Sequence, residues 1–127
     1  MATQGRAMNP FLAVGTGGAI GAILRYSLSE WLNSEAHPYG TLLVNLLGSL
    51  LLGMMMALLA EQIISKEIAL LLGTGVLGAF TTMSTFSFET VKMWESSSSL
   101  AIGYVAITMI ICPILAYVGW KAGEFIA

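Results

Sequence analysis

The sequence predicts an all-α membrane protein with four transmembrane helices, because it has few charges, a high hydropathy and four long uncharged stretches. Of its 127 residues, 9% are charged and 57% are hydrophobic, whereas a soluble domain carries about a quarter charged residues. The mean hydropathy is +0.84. So few charges cannot cover a surface that faces water, and we therefore expect most of the surface to contact lipid.

Four stretches of the chain lack Asp, Glu, Lys and Arg: residues 7–24, 36–60, 68–88 and 96–120. Each is long enough to cross the hydrocarbon core, which takes about 20 helical residues. They are apolar all round, unlike the alternating strands of a β-barrel. The sequence therefore predicts one four-helix domain over residues 1–127, with spans at about 9–30, 40–60, 67–92 and 99–123.

The segments outside these spans are short. Pro38 is expected to stop a helix before the second span, and the serines of residues 96–99 predict a flexible polar turn before the fourth. Residues 1–7 are interpreted as a disordered lead or a cloning remnant. They are not read as the start of a signal peptide, because Arg25 and Tyr26 stand where a small-residue cleavage site would follow the first apolar run.

The distribution of basic residues gives almost no orientation signal. Four spans put both termini on one side with Arg6, Lys66 and Lys121, while Arg25 and Lys92 lie on the other side. An excess of Lys and Arg on the cytoplasmic side usually sets orientation. Two interpretations stay open on this count: the chain inserts both ways and pairs antiparallel, or Arg6 and the N-terminal amine decide its orientation.

A homo-oligomer is expected if the chain encloses a polar path, because four short helices surround little volume. Small residues let membrane helices approach closely, and they form candidate contact faces on the first two helices. These are Gly15, Gly17, Gly18, Gly21 and Ala22 on the first helix and Gly48 and Gly53 on the second.

No catalytic constellation is visible in the sequence. The only histidine, His37, lies in a loop, and the only cysteine is Cys112. One cysteine makes neither an intrachain disulfide nor a zinc motif. We predict a protein that is not an enzyme and has no nucleic-acid partner.

Asn45 places an amide near the start of the second span, where burial is costly unless the group finds partners. One interpretation is that its NH₂ group donates to an anion. The other is an interhelical hydrogen bond that holds the fold together.

The third span is unusually polar. Gly73, Gly75 and Gly78 precede a cluster of hydroxyl groups, and glycines at this density weaken a helix. A break here would free carbonyls in the centre of the bilayer, which is tolerated only where protein, water or an ion satisfies them. Such carbonyls suit a monovalent cation. We therefore expect the third helix to be broken at mid-membrane.

Beyond the expected break, hydroxyl side chains alternate with methionine and phenylalanine. Hydroxyl groups donate hydrogen bonds and aromatic ring edges carry a positive partial charge, so the run describes a path for a small anion. The competing interpretation is that the hydroxyls bond back to the preceding turn and the aromatic rings pack. The run comprises Met83, Ser84, Thr85, Phe86, Ser87 and Phe88.

Three other polar residues are candidates for the same path. Arg25 either lies at a vestibule that attracts anions or extends to the membrane interface. Tyr104 is a polar aromatic residue inside the fourth span. Glu89 needs a partner or a proton if it is buried.

These residues fall into three ordered motifs: Gly17-Gly18-x-x-Gly21-x-x-x-Arg25-Tyr26, Gly40-Thr41-Leu42-x-Val44-Asn45-x-x-Gly48 and Gly78-x-x-Thr81-Thr82-x-Ser84-Thr85-Phe86-Ser87-x-Glu89. With them, the chain resembles the Fluc, or CrcB, family of bacterial fluoride channels over nearly its whole length. The third motif is the most specific of the three.

The resemblance implies a fluoride-selective channel that exports cytoplasmic fluoride passively and lowers its toxicity. It implies an antiparallel, dual-topology homodimer in the lipid bilayer of the bacterial plasma (inner) membrane. It also implies a structural Na⁺ at the dimer interface, held by the backbone carbonyls of Gly78 and Thr81. By motif match, Arg25 belongs to the vestibule, and the fluoride pathway includes Asn45, Met83, Ser84, Thr85, Phe86 and Ser87. The resemblance adds Tyr104 to this pathway as the counterpart of the family's fourth-helix tyrosine.

The chain departs from the family at Met83, which stands where the first of a pair of pore phenylalanines is expected. We expect fluoride still to pass, with an altered rate or an altered occupancy of its sites. The main alternative is a small proton-coupled multidrug exporter, but this needs a carboxylate deep in an early helix, and the uncharged stretches of the first two spans, residues 7–24 and 36–60, contain none. A haem-binding anchor subunit and a structural assembly factor are further alternatives.

Overall fold

The computed structural model describes residues 7–127, and the regular structure in that range is helical. The first two long helices are α1 (Pro10–Leu32) and α2 (Tyr39–Ala60), and the last is α6 (Ser98–Ile126). Between them lie α3 (Lys66–Ile68), a π-helical segment (Ala69–Leu77), α4 (Gly78–Phe80) and α5 (Met83–Ser96). Residues 1–6, which include Arg6 and most of the predicted lead, lie outside the described residues.

Within residues 7–127, four helical units are long and apolar enough to cross a membrane: Pro10–Leu32, Tyr39–Ala60, Lys66–Ser96 and Ser98–Ile126. The predicted all-α, four-span architecture is confirmed. The third span is the composite one, since it contains α3, the π segment, α4 and α5.

Local signals explain where α1 and α2 begin. Asn9 caps α1, because its Oδ1 accepts a hydrogen bond of 2.9 Å from the Phe11 N–H, and Pro10 fills the first helical position. Asparagine before proline is a favourable helix start, since proline has no N–H to leave unpaired there. Pro38 directly precedes α2, where the sequence predicts a helix stop.

The connection between α5 and α6 is tighter than predicted. The sequence suggests a flexible turn over residues 96–99, yet α5 continues to Ser96 and α6 begins at Ser98. Ser97 alone is extended, and its Oγ accepts a hydrogen bond from the Leu100 N–H at 3.4 Å. Serine caps helix N-termini well, so this run starts a helix where a loop was expected.

Glycines bring α1 against the π segment. A Cβ built on Gly17 would collide with the Leu71 carbonyl oxygen, and one on Gly21 would collide with that of Val76. The backbones of α1 and the π segment are therefore in direct contact here. Small residues commonly allow such close approach between membrane helices.

The same device joins α2 to α6 and α2 to the third span. A Cβ on Gly53 would meet the Ala116 carbonyl oxygen, and one on Gly48 would meet Thr81 Cγ2. The sequence assigns these glycine faces to contacts between copies of the chain. The structure corrects this assignment for Gly17, Gly21, Gly48 and Gly53, whose contacts lie within the chain.

Gly15 and Gly18 differ from the other glycines of α1. Within residues 7–127, no atom lies within 4 Å of a Cβ built on either of them. Only these two of the predicted α1 glycines remain open to another copy.

Candidate functional site

The third span is interrupted at Thr81 and Thr82, half-way along its length. Both residues are extended, with φ/ψ of −84°/154° and −150°/123°. The sequence suggests that the glycine run is itself the break. In the structure it is not, because Gly73 and Gly75 lie in the π segment and Gly78 begins α4. β-branched residues readily adopt extended backbone, and at Thr82 the Asn45 side chain takes up the backbone groups that leave the helix.

Asn45 of α2 binds the backbone of the break. Its Oδ1 accepts a hydrogen bond of 2.8 Å from the Thr82 N–H, and its Nδ2 donates one of 3.1 Å to the Thr82 carbonyl oxygen. Asn45 is only 7% exposed. The interhelical hydrogen bond expected as one interpretation is therefore present, and the second N–H of the amide is left for another acceptor.

Arg25 of α1 also contacts the backbone near the break. Its Nε donates a hydrogen bond of 3.3 Å to the Ala79 carbonyl oxygen in α4, and its side chain is half-buried. A charged residue within a span normally finds a partner of this kind. The structure thus places Arg25 against the third span, and its predicted role at a vestibule stays a prediction.

A cavity of about 270 Å³, here called the Asn45 cavity, lies beside the break. It brings together three of the residues predicted for the fluoride pathway, Asn45, Met83 and Phe86, and it also includes Thr81. Most of its lining is apolar, with a few hydrogen-bonding groups. It therefore combines an amide, a thioether and a ring around one space.

Four residues of α6 line the Asn45 cavity, and none of them was predicted as a site residue: Thr108, Met109, Cys112 and Pro113. Thr108 is 6% exposed, and its Oγ1 has no hydrogen-bond partner within residues 7–127. Tyr104, Thr108 and Cys112 recur every four residues, which places them on one helix face. That spacing was a signal in the sequence that could have identified them.

A carboxylate network lies further along α5, around Glu89. The Thr41 hydroxyl donates to Glu89 Oε1 at 2.7 Å, and the Tyr104 hydroxyl donates to Oε2 at 2.8 Å. Asn33 Nδ2 also donates to Oε1, at 3.2 Å. Glu89 thus has the partners that the sequence analysis called for. They are three neutral hydrogen-bond donors, which come from the end of α1, from α2 and from α6.

Tyr104 connects the network to the Asn45 cavity. Its ring lies 5.0 Å from the Phe86 ring, centroid to centroid, at an interplanar angle of 52°. Its hydroxyl is engaged by Glu89, so in this conformation it is not a free donor for an anion. Phe86 lines the cavity on one side and touches Tyr104 on the other.

A second cavity of about 280 Å³, the Glu89 cavity, opens beside the loop between α1 and α2. Its lining includes Glu89, Thr85 and Lys92, together with His37 from the loop. Thr85 therefore lies at a different cavity from Asn45, with Phe86 next to it in the chain. The predicted pathway residues are distributed over two spaces along α5.

The remaining predicted hydroxyls lie on the surface of the single chain. Ser84 and Ser87 are exposed, and Ser87 Oγ donates to the Met83 carbonyl oxygen at 2.8 Å. Ser84 Oγ lies 3.4 Å from Thr82 Oγ1. Bonding back to the preceding turn, the competing interpretation, thus applies to Ser87, and the pathway role of both serines stays a prediction.

Comparison with protein families gives one match that covers most of the chain. Residues 12–120 match the family described as CrcB-like protein, Camphor Resistance (CrcB). The match contains α2, the third span and the whole of both cavities.

Individual relatives agree with the family match. The chain is 41% identical over 119 residues to the fluoride-specific ion channel FluC of Thermotoga petrophila, which covers 90% of this chain and 94% of that protein. It is 44% identical over 116 residues to fluoride-specific ion channel FluC 1 of Methanosarcina acetivorans, with 88% of each chain covered. It is 43% identical over 120 residues to fluoride-specific ion channel FluC 2 of Bacillus subtilis, covering 94% of this chain and 92% of that one.

These relatives bear on the competing predictions. Together with the four span-capable helices, they identify a multi-pass membrane protein. They are named as ion channels and not as enzymes, and none of these matches supports the multidrug-exporter alternative.

Proposed function

The chain belongs to the CrcB-like protein family, and from that membership we propose that it is a fluoride-selective ion channel that exports cytoplasmic fluoride. Export is passive: hydrogen fluoride forms in acid, crosses the membrane and dissociates in the cytoplasm, and the trapped fluoride leaves down its gradient. The observation that carries the proposal is the Asn45 cavity, where Asn45, Met83 and Phe86 meet beside the broken helix.

The lining of this cavity matches the chemistry of fluoride. The ion is small and strongly hydrated, so close hydrogen-bond donors must replace its water. The second N–H of Asn45 and the unpartnered Thr108 hydroxyl supply such donors, and ring edges such as that of Phe86 supply weakly positive C–H groups. No basic side chain is needed at the cavity, where a fixed full charge would bind the anion too tightly to release it.

We propose that the break lies near the bilayer centre, because Thr81 and Thr82 fall half-way along the span Lys66–Ser96. An interrupted helix is tolerated at that depth where protein or a water-filled cavity surrounds it, and the Asn45 cavity lies next to the break. The membrane concerned is the plasma membrane, where export lowers the fluoride concentration of the cytoplasm.

The functional unit in this proposal is an antiparallel homodimer. Met83 is 61% exposed and Phe88 69% exposed in the single chain, and Ser84 and Ser87 face outward beside them. Hydroxyl groups are poorly accommodated in lipid, and a second copy would cover this face of α5 and complete the pathway. The near balance of basic residues supports insertion in both orientations.

A structural sodium ion fits the carbonyls at the break. In an unbroken helix, the Gly78 carbonyl would accept from the Thr82 N–H and the Thr81 carbonyl from the Thr85 N–H. Here the Thr82 N–H donates to Asn45 and the Thr85 N–H donates to Thr82 Oγ1. Both carbonyls have lost their helical donors, and we propose that they hold Na⁺, which joins the broken helices of two copies.

Growth in fluoride tests the proposed function in cells. A bacterial strain without its own fluoride exporter is expected to grow in fluoride when it expresses this chain, and its cytoplasmic fluoride is expected to fall. The matched control is the same strain with an empty vector, grown with and without fluoride. Expression of correctly inserted protein that leaves cytoplasmic fluoride unchanged would contradict the proposal.

A further inference from the structure

Two side chains hold the break from opposite sides. Asn45 of α2 binds both the N–H and the carbonyl of Thr82, on the α5 side. Arg25 of α1 binds the carbonyl of Ala79, on the α4 side. The freed carbonyl of Thr81 lies between these two attachment points in the chain, and that of Gly78 comes directly before the Ala79 attachment point.

The attachment by Arg25 is built into the packing of α1. Gly21, one turn earlier, lets α1 lie directly on the Val76 carbonyl of the π segment. The arginine therefore approaches the third span from a helix that is already fixed against it. Its Nε–H then reaches the Ala79 carbonyl at 3.3 Å.

The choice of partner for Arg25 is itself informative. Arginine stays protonated at any physiological pH, and a cation inside a span is costly without a partner. Within residues 7–127 the single ion pair joins Lys121 to Glu124, so the partner of Arg25 there is a backbone carbonyl and not a carboxylate. A backbone carbonyl does not cancel the charge, but it fixes the guanidinium against one turn of the third span.

We propose that Arg25 is a positioning residue for the cation site. By taking the Ala79 carbonyl, it withdraws that oxygen from the cation and fixes the orientation of the single turn of α4. The neighbouring carbonyls of Gly78 and Thr81 then remain directed as a preformed pair of ligands. Preformed ligands bind more tightly because less ordering accompanies binding.

Arginine suits this role better than lysine. Its Nε–H donates sideways from a planar group, whereas a lysine ammonium is a mobile point charge at the end of its chain. The inference rests on the sodium site within the proposed function. It does not depend on which anion passes through the protein.

Sodium-dependent thermal unfolding of the purified protein tests the inference. The unfolding midpoint is followed by tryptophan fluorescence while Na⁺ replaces N-methylglucamine at constant ionic strength. The wild-type midpoint is expected to rise and saturate with Na⁺. In Arg25→Gln the half-saturating Na⁺ concentration is expected to rise by about tenfold or more, which corresponds to about 1.4 kcal/mol.

Two further variants separate positioning from general stability. Arg25→Lys is expected to restore part of the Na⁺ affinity, while Lys92→Gln, which removes an exposed positive charge from α5, should leave it unchanged. If Arg25→Gln lowers the midpoint equally at every Na⁺ concentration, its role is only structural and the inference fails. A wild-type protein without any Na⁺ response overturns both this inference and the sodium site, while fluoride efflux from the same preparation shows separately whether the channel function holds.

Discussion

The amide of Asn45 contributes to the fold and to the cavity at once. One N–H and the oxygen bind the backbone of Thr82, and the amide also lines the cavity. Its buried position makes those bonds important, because a buried backbone group that loses its partner costs about 1–3 kcal/mol. The same side chain that holds the break therefore presents a donor next to it.

Asn45→Ala is expected to lower both the unfolding midpoint and fluoride efflux, the latter by about tenfold or more, because the Thr82 backbone loses its partners and the cavity loses its amide. Efflux from liposomes and thermal unfolding measure the two effects. Ser27→Ala is the control, since Ser27 Oγ donates to the Ile23 carbonyl at 2.8 Å on an exposed face of α1. Wild-type efflux from Asn45→Ala would show that the amide is not part of the pathway.

Met83 offers a second substitution at the cavity. A thioether is flexible and polarizable, but its methyl hydrogens are weaker anion partners than a ring edge. Met83→Phe restores the residue expected from the family resemblance, and we expect it to change the fluoride efflux rate while chloride stays excluded. A native chain that transports no fluoride, beside a Met83→Phe variant that does, would show that methionine blocks the pathway.

Part of the site could be predicted from the sequence at this scale. Three residues that the motifs single out, Asn45, Met83 and Phe86, line one cavity in the structure, while their role in fluoride passage stays a prediction. The binding of Asn33 and Thr41 to Glu89 could not be predicted, because these residues lie 56 and 48 positions from Glu89 in the chain. The contact between these residues depends on how α1, α2 and α5 pack, and the periodicity of the sequence within one helix does not indicate that packing.

The third span shows how packing decides the conformation of an element. Its glycines predict a weak helix, and a π-helical segment forms there. That segment continues as helix because the bare backbone of Gly75 allows α1 to pack against it, with Gly17 Cα only 2.9 Å from where a Cβ of Gly75 would stand. The opening occurs at Thr81 and Thr82 instead, where Asn45 supplies the hydrogen bonds that the helix gives up.

Two glycines on α1 give a matched test of this packing. In Gly21→Ala the new methyl group would collide with the Val76 carbonyl, whereas in Gly18→Ala it meets no atom of residues 7–127 within 4 Å. We expect Gly21→Ala to destabilise the protein by about 1–3 kcal/mol. Gly18→Ala should leave the stability unchanged or raise it by up to about 1 kcal/mol, because alanine is a better helix former than glycine.

Unfolding midpoints of the two variants in the same detergent measure this difference. Equal midpoints for Gly18→Ala and Gly21→Ala would contradict the close contact between α1 and the π segment. A lower unfolding midpoint in Gly18→Ala alone would indicate that the open face of α1 at Gly18 is a contact between two copies.

The whole molecule follows from composition more directly than its details do. Low charge and four uncharged stretches predict the four helical spans. In lipid, a stretch without the alternation of a β-barrel strand can satisfy its backbone hydrogen bonds only as a helix. The pairing of spans is not encoded in hydropathy, because hydropathy identifies a span without indicating which neighbouring span it packs against. It depends on where glycines permit contact, as between α2 and α6 at Gly53.

Dual topology predicts that the C-terminus is found on both sides of the membrane. A protease-removable tag at Ala127 should be cleaved from outside in about half of the molecules in sealed cells. Ser34→Arg with Glu35→Arg adds positive charge to the loop between α1 and α2. It should hold that loop in the cytoplasm and increase cleavage of the tag. A wild-type tag protected in every molecule would contradict insertion in both orientations.

Anion efflux from liposomes that contain only the purified protein tests the central claim most directly. Vesicles are loaded with fluoride or chloride, a potassium ionophore balances the charge, and an electrode follows the anion released. We predict rapid loss of fluoride with chloride retained. Retention of fluoride by vesicles that contain inserted, folded protein would contradict the fluoride-channel function.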